Sequence, residues 1–487
     1  MNMYFFDEEY DDDDDDDGMD RHDRIGVKLQ RERLKRDGTY ERAIADKIHT
    51  SLDKIRAGFG TSFSSSPSSA KSKSAVDDVD DDHDHDSKAW ISSGQTRLLR
   101  GHDLTPTCVA LQPNGDRAIS GSKDHSVLIW DVQEGRKSFT LCHDWKHQSR
   151  QQNEQDQQSS HSDHGSRTRG EVLSVACSDD GRYAAVGRRD ATVCIYDIRL
   201  AATNGKNNGG NNLLQTFTGH KGPVTSLAFR SQSLELFSAS EDRCLRQYNL
   251  SEMMYLETLY GHQFGVMGVD CHRKERPVSV GRDRTARVWK ISEDTHLIFR
   301  GGAKVSSADC VRIVKDDWFL TGHDDGQLSL WMSEKKRAVA SIENSHGVDT
   351  NSVGRGVTAI GSLRGSDLAV TGSSDGFIRL WKAETGSTLD SRGLYPIDKI
   401  PLKGHVNALA VGPKAKFCVA AVGQEPKLGR WDRIPGAKNR FAIIKLRSED
   451  DAGQDDEEFE EGIDSTNNND ESEGSGDSNE DSGSEEE

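Results

Sequence analysis

One spacing recurs along this chain and leaves few folds open to it. A short apolar segment ends in Trp or Tyr, and an acidic residue stands six positions before that ring. The pairs are Asp124 with Trp130, Asp190 with Tyr196, Asp242 with Tyr248, Asp283 with Trp289, Asp325 with Trp331 and Asp375 with Trp381. A seventh pair keeps the spacing with Glu425 before Trp431. Gly-His pairs at His102, His220, His262 and His405 place a histidine 20 to 22 residues ahead of the acidic position. Successive rings lie 66, 52, 41, 42, 50 and 50 residues apart. The two shortest intervals match a repeat of about 40–45 residues, in which each unit is one four-stranded sheet.

A sheet of four short strands cannot bury its own faces, so such units stack radially and close into a ring. The spacing therefore predicts an all-β chain: a seven-bladed WD-repeat β-propeller. The acidic residue falls in the tight turn between the second and third strands of a blade. There it can accept a hydrogen bond from the Gly-His histidine, which in turn reaches a Ser or Thr and the terminal Trp. On this reading His102, Asp124, Trp130, Asp190, His220, Asp242, His262, Asp283, Trp289, Asp325, Trp331, Asp375, Trp381, His405, Glu425 and Trp431 are structural. Two segments compete for the strand that closes the ring, Arg97-Leu98-Leu99 and Phe441-Ala442-Ile443-Ile444. Blade five has Gly301-Gly302 where a Gly-His is expected, and blade six has His346 displaced by the insertion Gly347 to Gly356, so both should be less regular.

Composition matters because the ring does not use the whole chain. The net charge is -19, but it is unevenly spread. Ser448 to Glu487 holds 19 acidic residues and neither Lys nor Arg, and Met1 to Ala89 holds 24 acidic and 14 basic residues. Between them lie 39 acidic and 49 basic residues, a body near +10. The expected organisation is an acidic disordered segment at 1–89, the propeller at 90–447 and an acidic, Ser-rich disordered segment at 448–487. Ser478, Ser482 and Ser484 sit in acidic contexts that suit an acid-directed kinase. Within the first segment Ile44, Ile48, Leu52 and Ile55 form one apolar stripe, predicting a helix over about 40–57 that packs on the propeller's flank or on a partner. The cluster Arg31, Arg33, Lys35 and Arg36 reads equally as a nuclear import signal or a solvated helix face. The stretches His147 to Arg169 and Thr203 to Asn212 are too polar to pack and read as surface loops. No apolar run approaches the length of a membrane span, and the N-terminus shows no secretory pattern. Eight cysteines without a C-x-x-C pair read as small core residues in a reducing compartment.

No phosphate-binding loop, nucleophile elbow or zinc-ligand spacing is present, so neither catalytic residues, metal nor cofactor is expected. The basic residues say more. The turns that carry the structural acids also carry Lys123, Arg188, Arg189, Arg243, Arg282 and Arg284, with Lys427 and Arg430 in blade seven. Blades five and six offer Asp324, Asp325 and Ser374 instead. The expectation is a basic crescent over blades seven, one, two, three and four. Its candidate phosphate contacts are Arg188, Arg189, Arg243, Arg282, Arg284, Lys427 and Arg430, since planar guanidinium groups engage two phosphate oxygens at once. Arg246, Arg287 and Arg379 stand within strands, two residues before the aromatic, and read as structural.

At Gly261 to Gly301, GHQFGVMGVDCHRKERPVSVGRDRTARVWKISEDTHLIFRG, and at Val419 to Ile434, VAAVGQEPKLGRWDRI, the chain resembles the U3 small nucleolar RNA-interacting WD-repeat protein family. SEKKRAVA at Ser333 to Ala340 is similar too, and the His147 to Arg169 insertion departs from that family's compact pattern. The resemblance implies a non-catalytic nucleolar component of the U3 ribonucleoprotein. Its expected partners are U3 small nucleolar RNA at the box B/C element, the small kink-turn-binding protein and other proteins of the small-subunit processome, with no membrane. The rival expectation, from the propeller alone, is a protein-interaction scaffold such as a ubiquitin-ligase substrate receptor or a chromatin adaptor.

Overall fold

In the computed structural model the described residues are 44–58, 95–142, 170–199, 212–301, 306–349, 352–386 and 392–447. The acidic segments, the polar loops and the tail serines lie outside them. Among the described residues, 28 strands form seven antiparallel sheets of four. The inner strands are Pro106–Leu111, Val172–Cys177, Val224–Phe229, Val266–Asp270, Ala308–Lys315, Ala359–Ser362 and His405–Val411. Apolar runs such as Val127-Leu128-Ile129-Trp130 are buried on both faces because each sheet is sandwiched between its neighbours. Outer strands such as Leu213–Phe217 have one sheet neighbour and stay largely exposed.

Both contenders for ring closure are used. Blade seven orders its strands as Thr96–Leu99, Arg440–Lys445, Phe417–Gly423 and His405–Val411. Phe441 to Ile444 therefore belongs to the third strand, and the N-terminal strand pairs outside it, with Leu99 opposite Phe441. The seam is packed by Phe441 stacked on Trp130 of blade one, ring centroids 5.0 Å apart. One expectation fails as a consequence. Glu425 and Trp431 are not the turn acid and strand aromatic of blade seven; they lie on an excursion, residues 424–439, between its second and third strands. Trp431 is 78% exposed. Register places Ile444 against Cys418, as Trp130 stands against Ala118 in blade one. The six-residue spacing at Glu425 is a coincidence of the inserted loop.

Elsewhere the turn acid works as the spacing implies. His262 bonds Asp283 at 2.8 Å and Ser279 at 2.8 Å, and Trp289 donates its indole N–H to the same serine at 2.8 Å. His220 repeats the pattern with Asp242 and Ser238, both at 2.7 Å. In blade one His102 holds Ser120 and Ser126, with Asp124 at 3.5 Å. Displacement does not disable blade six: His346 still reaches Asp375 at 2.9 Å and Thr371 at 2.8 Å, and Trp381 donates to Thr371. Blade five replaces the absent Gly-His from within, since His323 bonds Thr321, which also accepts from Trp331. Among the described residues Asp190 has no histidine partner, and it accepts from the backbone N–H and hydroxyl of Thr192. His405 faces Asp432 at 3.4 Å, not Glu425. Arg246, Arg287 and Arg379 are engaged as expected, by Gly219 O, His296 and Asp375.

The inner ring is stitched between blades. In six blades the first two strands slip register near the top of the inner strand, for example between Pro106 and Cys108 and between Val224 and Ser226. A bulge leaves its extra residue outside the ladder. The freed side chains clasp the neighbouring blade: Thr225 donates to Val266 O at 2.7 Å and Asn407 to Pro106 O at 2.9 Å.

The N-terminal helix, Ala45–Gly58, docks on the ring rather than waiting for a partner. Ile44, Ile48 and Leu52 are fully buried with Leu368, Ile378, Leu380, Ile400 and Leu446 of blades six and seven. Asp367 accepts from the N–H groups of Ile44 and Ala45 at 2.8 and 3.1 Å, capping the helix from another element. Leu52→Ala should cost about 2–5 kcal/mol of docking free energy by opening a cavity. Faster hydrogen exchange over residues 45–58, with the blades still protected, is the expected readout; unchanged exchange there would refute the docking.

The carboxylates of the turn networks make a second prediction. Burial alone would raise their pKa, but the bonds from His220 and His262 outweigh it and hold Asp242 and Asp283 down at about 2. A depressed folded-state pKa adds stability above the unfolded value near 4, and that stability drains as pH falls from about 4 through about 2. Asp283→Asn should flatten part of this acid limb and lower stability at neutral pH by about 2 kcal/mol. Melting temperatures of both chains between about pH 2 and 7 check it; parallel curves would be the contrary result.

Candidate nucleic-acid interface

Because strands alternate in direction, the turns between second and third strands emerge at the same end of the ring as the Gly-His loops. Hydrogen bonds join the two: Asp242 accepts from Lys221 N–H at 3.0 Å, and Asp283 from Gln263 N–H at 3.2 Å. The same carboxylates accept from the turn residues Cys244 and Thr285. The residue after the acid is thereby held in the left-handed conformation. It is His125 in blade one, Ala191 in two, Arg243 in three, Arg284 in four, Gly326 in five and Gly376 in six, with φ between 61° and 84°. Glycine suits this position, and any other residue costs about 1 kcal/mol there. Blades five and six use glycine; blades three and four place arginines there, exposed and without an ion pair to any described residue. Arg282, also exposed, lies 3.5 Å from Glu241 of the neighbouring blade's turn.

The rest of the expected crescent is more constrained. Lys123 is buried, donating to Gly429 O at 2.7 Å and lying 3.4 Å from Glu425. Burial pushes its amine down, opposed by Glu425. Arg188 is half-buried and donates to the Tyr196 hydroxyl. Arg189 pairs with buried Glu171 at 2.8 Å. Arg430, with a side chain 62% exposed, stands 3.7 Å from Glu425 and 4.0 Å from Glu171. Lys123, Arg189, Arg430 and the two carboxylates Glu171 and Glu425, from blades one, two and seven, thus form one linked cluster. Sequence spacing gave no signal for Glu171, whose role depends on a contact between blades.

Lys427 is the clearest departure from expectation. Its ammonium enters the central channel and donates to Thr225 O of blade three at 2.7 Å. Burial pushes its amine down, and the groups around it come from blades one and five: Cys108, Cys310, Asp309 and Arg312. Asp309 is itself pushed up to about 6 by burial. Lys427 is not available to phosphate on the outer face.

Exposed aromatic rings stand on this end, Tyr260, Phe264 and Trp431 among them. Phe264, from the Gly-His loop of blade four, is exposed beside the arginine-bearing turns. Trp431 lies over Gly429, where even a Cβ would collide with its six-membered ring. The ring is therefore packed close to the Gly429 backbone while most of the side chain stays exposed. Guanidinium groups with flat, exposed rings are the chemistry that grips a folded or partly unpaired RNA, through phosphate contacts and base stacking. Cys108, Cys177, Cys194, Cys244, Cys271, Cys310 and Cys418 are free thiols, buried or half-buried, and burial raises the pKa of Cys108 to about 11 and of Cys418 to about 12.

Comparison with known proteins agrees with this architecture. The WD domain, G-beta repeat model matches residues 91–131, 156–197, 211–249, 254–290 and 348–382. A U3 snoRNP-associated protein-like chain of Arabidopsis thaliana is 37% identical, over 73% of this chain and 72% of its own length. Human U3 small nucleolar RNA-interacting protein 2 is 35% identical, over 73% of this chain and 70% of its own. The crystal structure of RRP9 WD40 repeats superposes with a TM-score of 0.63 at 35% identity, covering 73% of this chain and 98% of that one. Repeats, ring and sequence identity together place the chain in the U3 small nucleolar RNA-interacting WD-repeat protein family.

Proposed function

We propose that this protein is a non-catalytic, nucleolar component of the U3 small nucleolar ribonucleoprotein that binds U3 RNA at its box B/C region during small-subunit pre-ribosomal RNA processing. Its partners on this reading are the kink-turn-binding protein and other processome proteins. The observation that carries the RNA contact is the pair Arg243 and Arg284: two exposed cations held in a backbone conformation that favours glycine. Arg282 and Arg430 flank them as further phosphate contacts. Arg188 and Arg189 are supporting members, since each is already engaged within the ring. Lys427 leaves the set of contacts.

A protein-scaffold reading has one observation in its favour. Leu213 and Leu214 of blade two, Met254 and Leu256 of blade three and Leu297 and Ile298 of blade four are exposed on outer strands. Titration of binding against salt separates the readings. Phosphate contacts predict a steep, linear fall of log affinity with log salt, each contact contributing about 0.7–0.9 to the slope. Arg282→Ala with Arg284→Ala should weaken binding of a U3 box B/C transcript, with the kink-turn-binding protein present, about 10- to 100-fold and reduce the slope by between one and two. An unchanged affinity and slope would remove these arginines from the interface.

A further inference from the structure

We infer that Lys427 is a positioning residue: by spanning the central channel it fixes the blade-seven excursion so that Arg430 and Trp431 are presented on the face that carries the arginine turns. The inference rests on the RNA reading above and deepens it by separating the residues that hold the site from those that touch the ligand.

The excursion, residues 424–439, has no strand or helix, and loops of that length inside a compact domain generally need a reason to be ordered. Its base is closed locally: Gln424 donates to Ala437 O at 2.6 Å, and Ile434 N–H to Gln424 O at 3.0 Å. Its far end has no such ladder. There the restraints come from other blades. Lys427 bonds Thr225 O, on the inner strand of blade three. Blade three is three places from blade seven, the greatest separation a ring of seven allows. That carbonyl belongs to the extra residue of the bulge between Val224 and Ser226, so the ladder does not pair it and it is free to accept in the channel. From the opposite side Lys123 of blade one donates to Gly429 O, two residues beyond Lys427 and directly before Arg430. The backbone on either side of Leu428 is thus gripped by two ammonium groups, one supplied by the excursion and one received by it.

Desolvating two ammonium groups is unfavourable, and a loop needing only to cover the ring could present apolar side chains to the channel instead. A long, flexible lysine can reach across the ring and end on one carbonyl, which determines the loop's position as an apolar plug would not. What the restraint fixes is immediately adjacent: Arg430, between Glu425 and Glu171, and Trp431, lying across Gly429.

A positioning role and a phosphate contact differ in one measurable respect. A lysine that neutralises phosphate contributes its own charge to the salt slope; a lysine that only orders the loop changes the slope solely through Arg430. Lys427→Met retains the stem and removes the donor. In the full chain, with the U3 box B/C transcript and the kink-turn-binding protein, it should speed hydrogen exchange across residues 424–439 at least 10-fold. RNA affinity should fall about 10-fold, and in an Arg430→Ala background, where that phosphate contact is already absent, Lys427→Met should leave the salt slope unchanged. Lys123→Met, which removes the second anchor, should act the same way and decides the matter if Lys427→Met does not fold, as judged by circular dichroism and a cooperative melt. A slope reduced by about one further in the Arg430→Ala background overturns positioning in favour of direct contact. Unaltered loop exchange overturns the tether, and a loosened loop with undiminished affinity overturns its relevance to binding. If the unaltered chain shows no salt-dependent RNA binding, the RNA reading fails by itself while loop exchange still judges the tether.

Discussion

In blades one to six a single turn carboxylate fixes the geometry on which the arginine-bearing face depends. In blades three and four it accepts at once from a histidine ring, from the backbone beyond that histidine and from the turn that it heads. Loop and turn come from different parts of a repeat, and this joint makes them one rigid edge. The joint is stable because its donors are already in place; burial works against the charge, and the hydrogen bonds outweigh that penalty. One consequence is conformational. The residue following the acid is forced to positive φ, where its side chain leaves the ring, so a structural device shared by several blades becomes a mount for whatever side chain a given blade supplies. Glycine there is structurally quiet; arginine, in blades three and four, is an investment in the surface.

Blade seven shows how closure and recognition are divided. Its outermost strand is taken from the far N-terminal side, Thr96 to Leu99, and its third strand begins only at Arg440. The ring is therefore locked by chain ends distant in sequence, and residues 424–439 are released from strand duty. Where the other blades have a tight turn with an acid at its head, this one has a loop long enough to fold back over the channel. The helix Ala45–Gly58 reinforces the same sector from outside, burying its stripe against blades six and seven. Inner tether, closing strand and outer helix thus converge on the blade with the least regular connection.

Much of this was readable in the sequence because it is periodic. The acid-to-aromatic spacing correctly located six blades, and the helix stripe at Ile44, Ile48 and Leu52 identified the buried face. What periodicity could not distinguish was a repeat from an accident: Glu425 and Trp431 match the spacing as well as any true pair, but register assigns that strand position to Ile444. A warning was present, since the segment after Trp431 has no apolar strand until Phe441. The basic residues were legible as a group and misleading as individuals. Whether a lysine in a turn meets solvent, a neighbouring blade's carboxylate or a carbonyl across the channel depends on contacts between distant residues. Lys123, Arg189 and Lys427 were drawn inward in this way, whereas the positive φ at Arg243 and Arg284 follows from aligning them with Gly326 and Gly376, a comparison available before any coordinates.

That sorting alters what the body's excess positive charge can do. Counting cations in the sequence suggests a broad attractive surface, and a broad surface binds any polyanion with little discrimination. On the folded face several of those cations are already committed, to Glu171, to Glu425 or to main-chain carbonyls. A committed cation releases few counterions when RNA arrives, so it adds little to non-specific affinity. The uncommitted ones, Arg243 and Arg284, are few and rigidly mounted, with Arg282 and Arg430 only loosely paired beside them. Few contacts at fixed separations reward an RNA whose phosphates have matching positions and give less to one whose backbone must first rearrange. On the proposed RNA reading, selectivity for a folded RNA–protein surface arises from having withdrawn charge from the interface, with the buried lysines serving the geometry of the few charges that remain exposed.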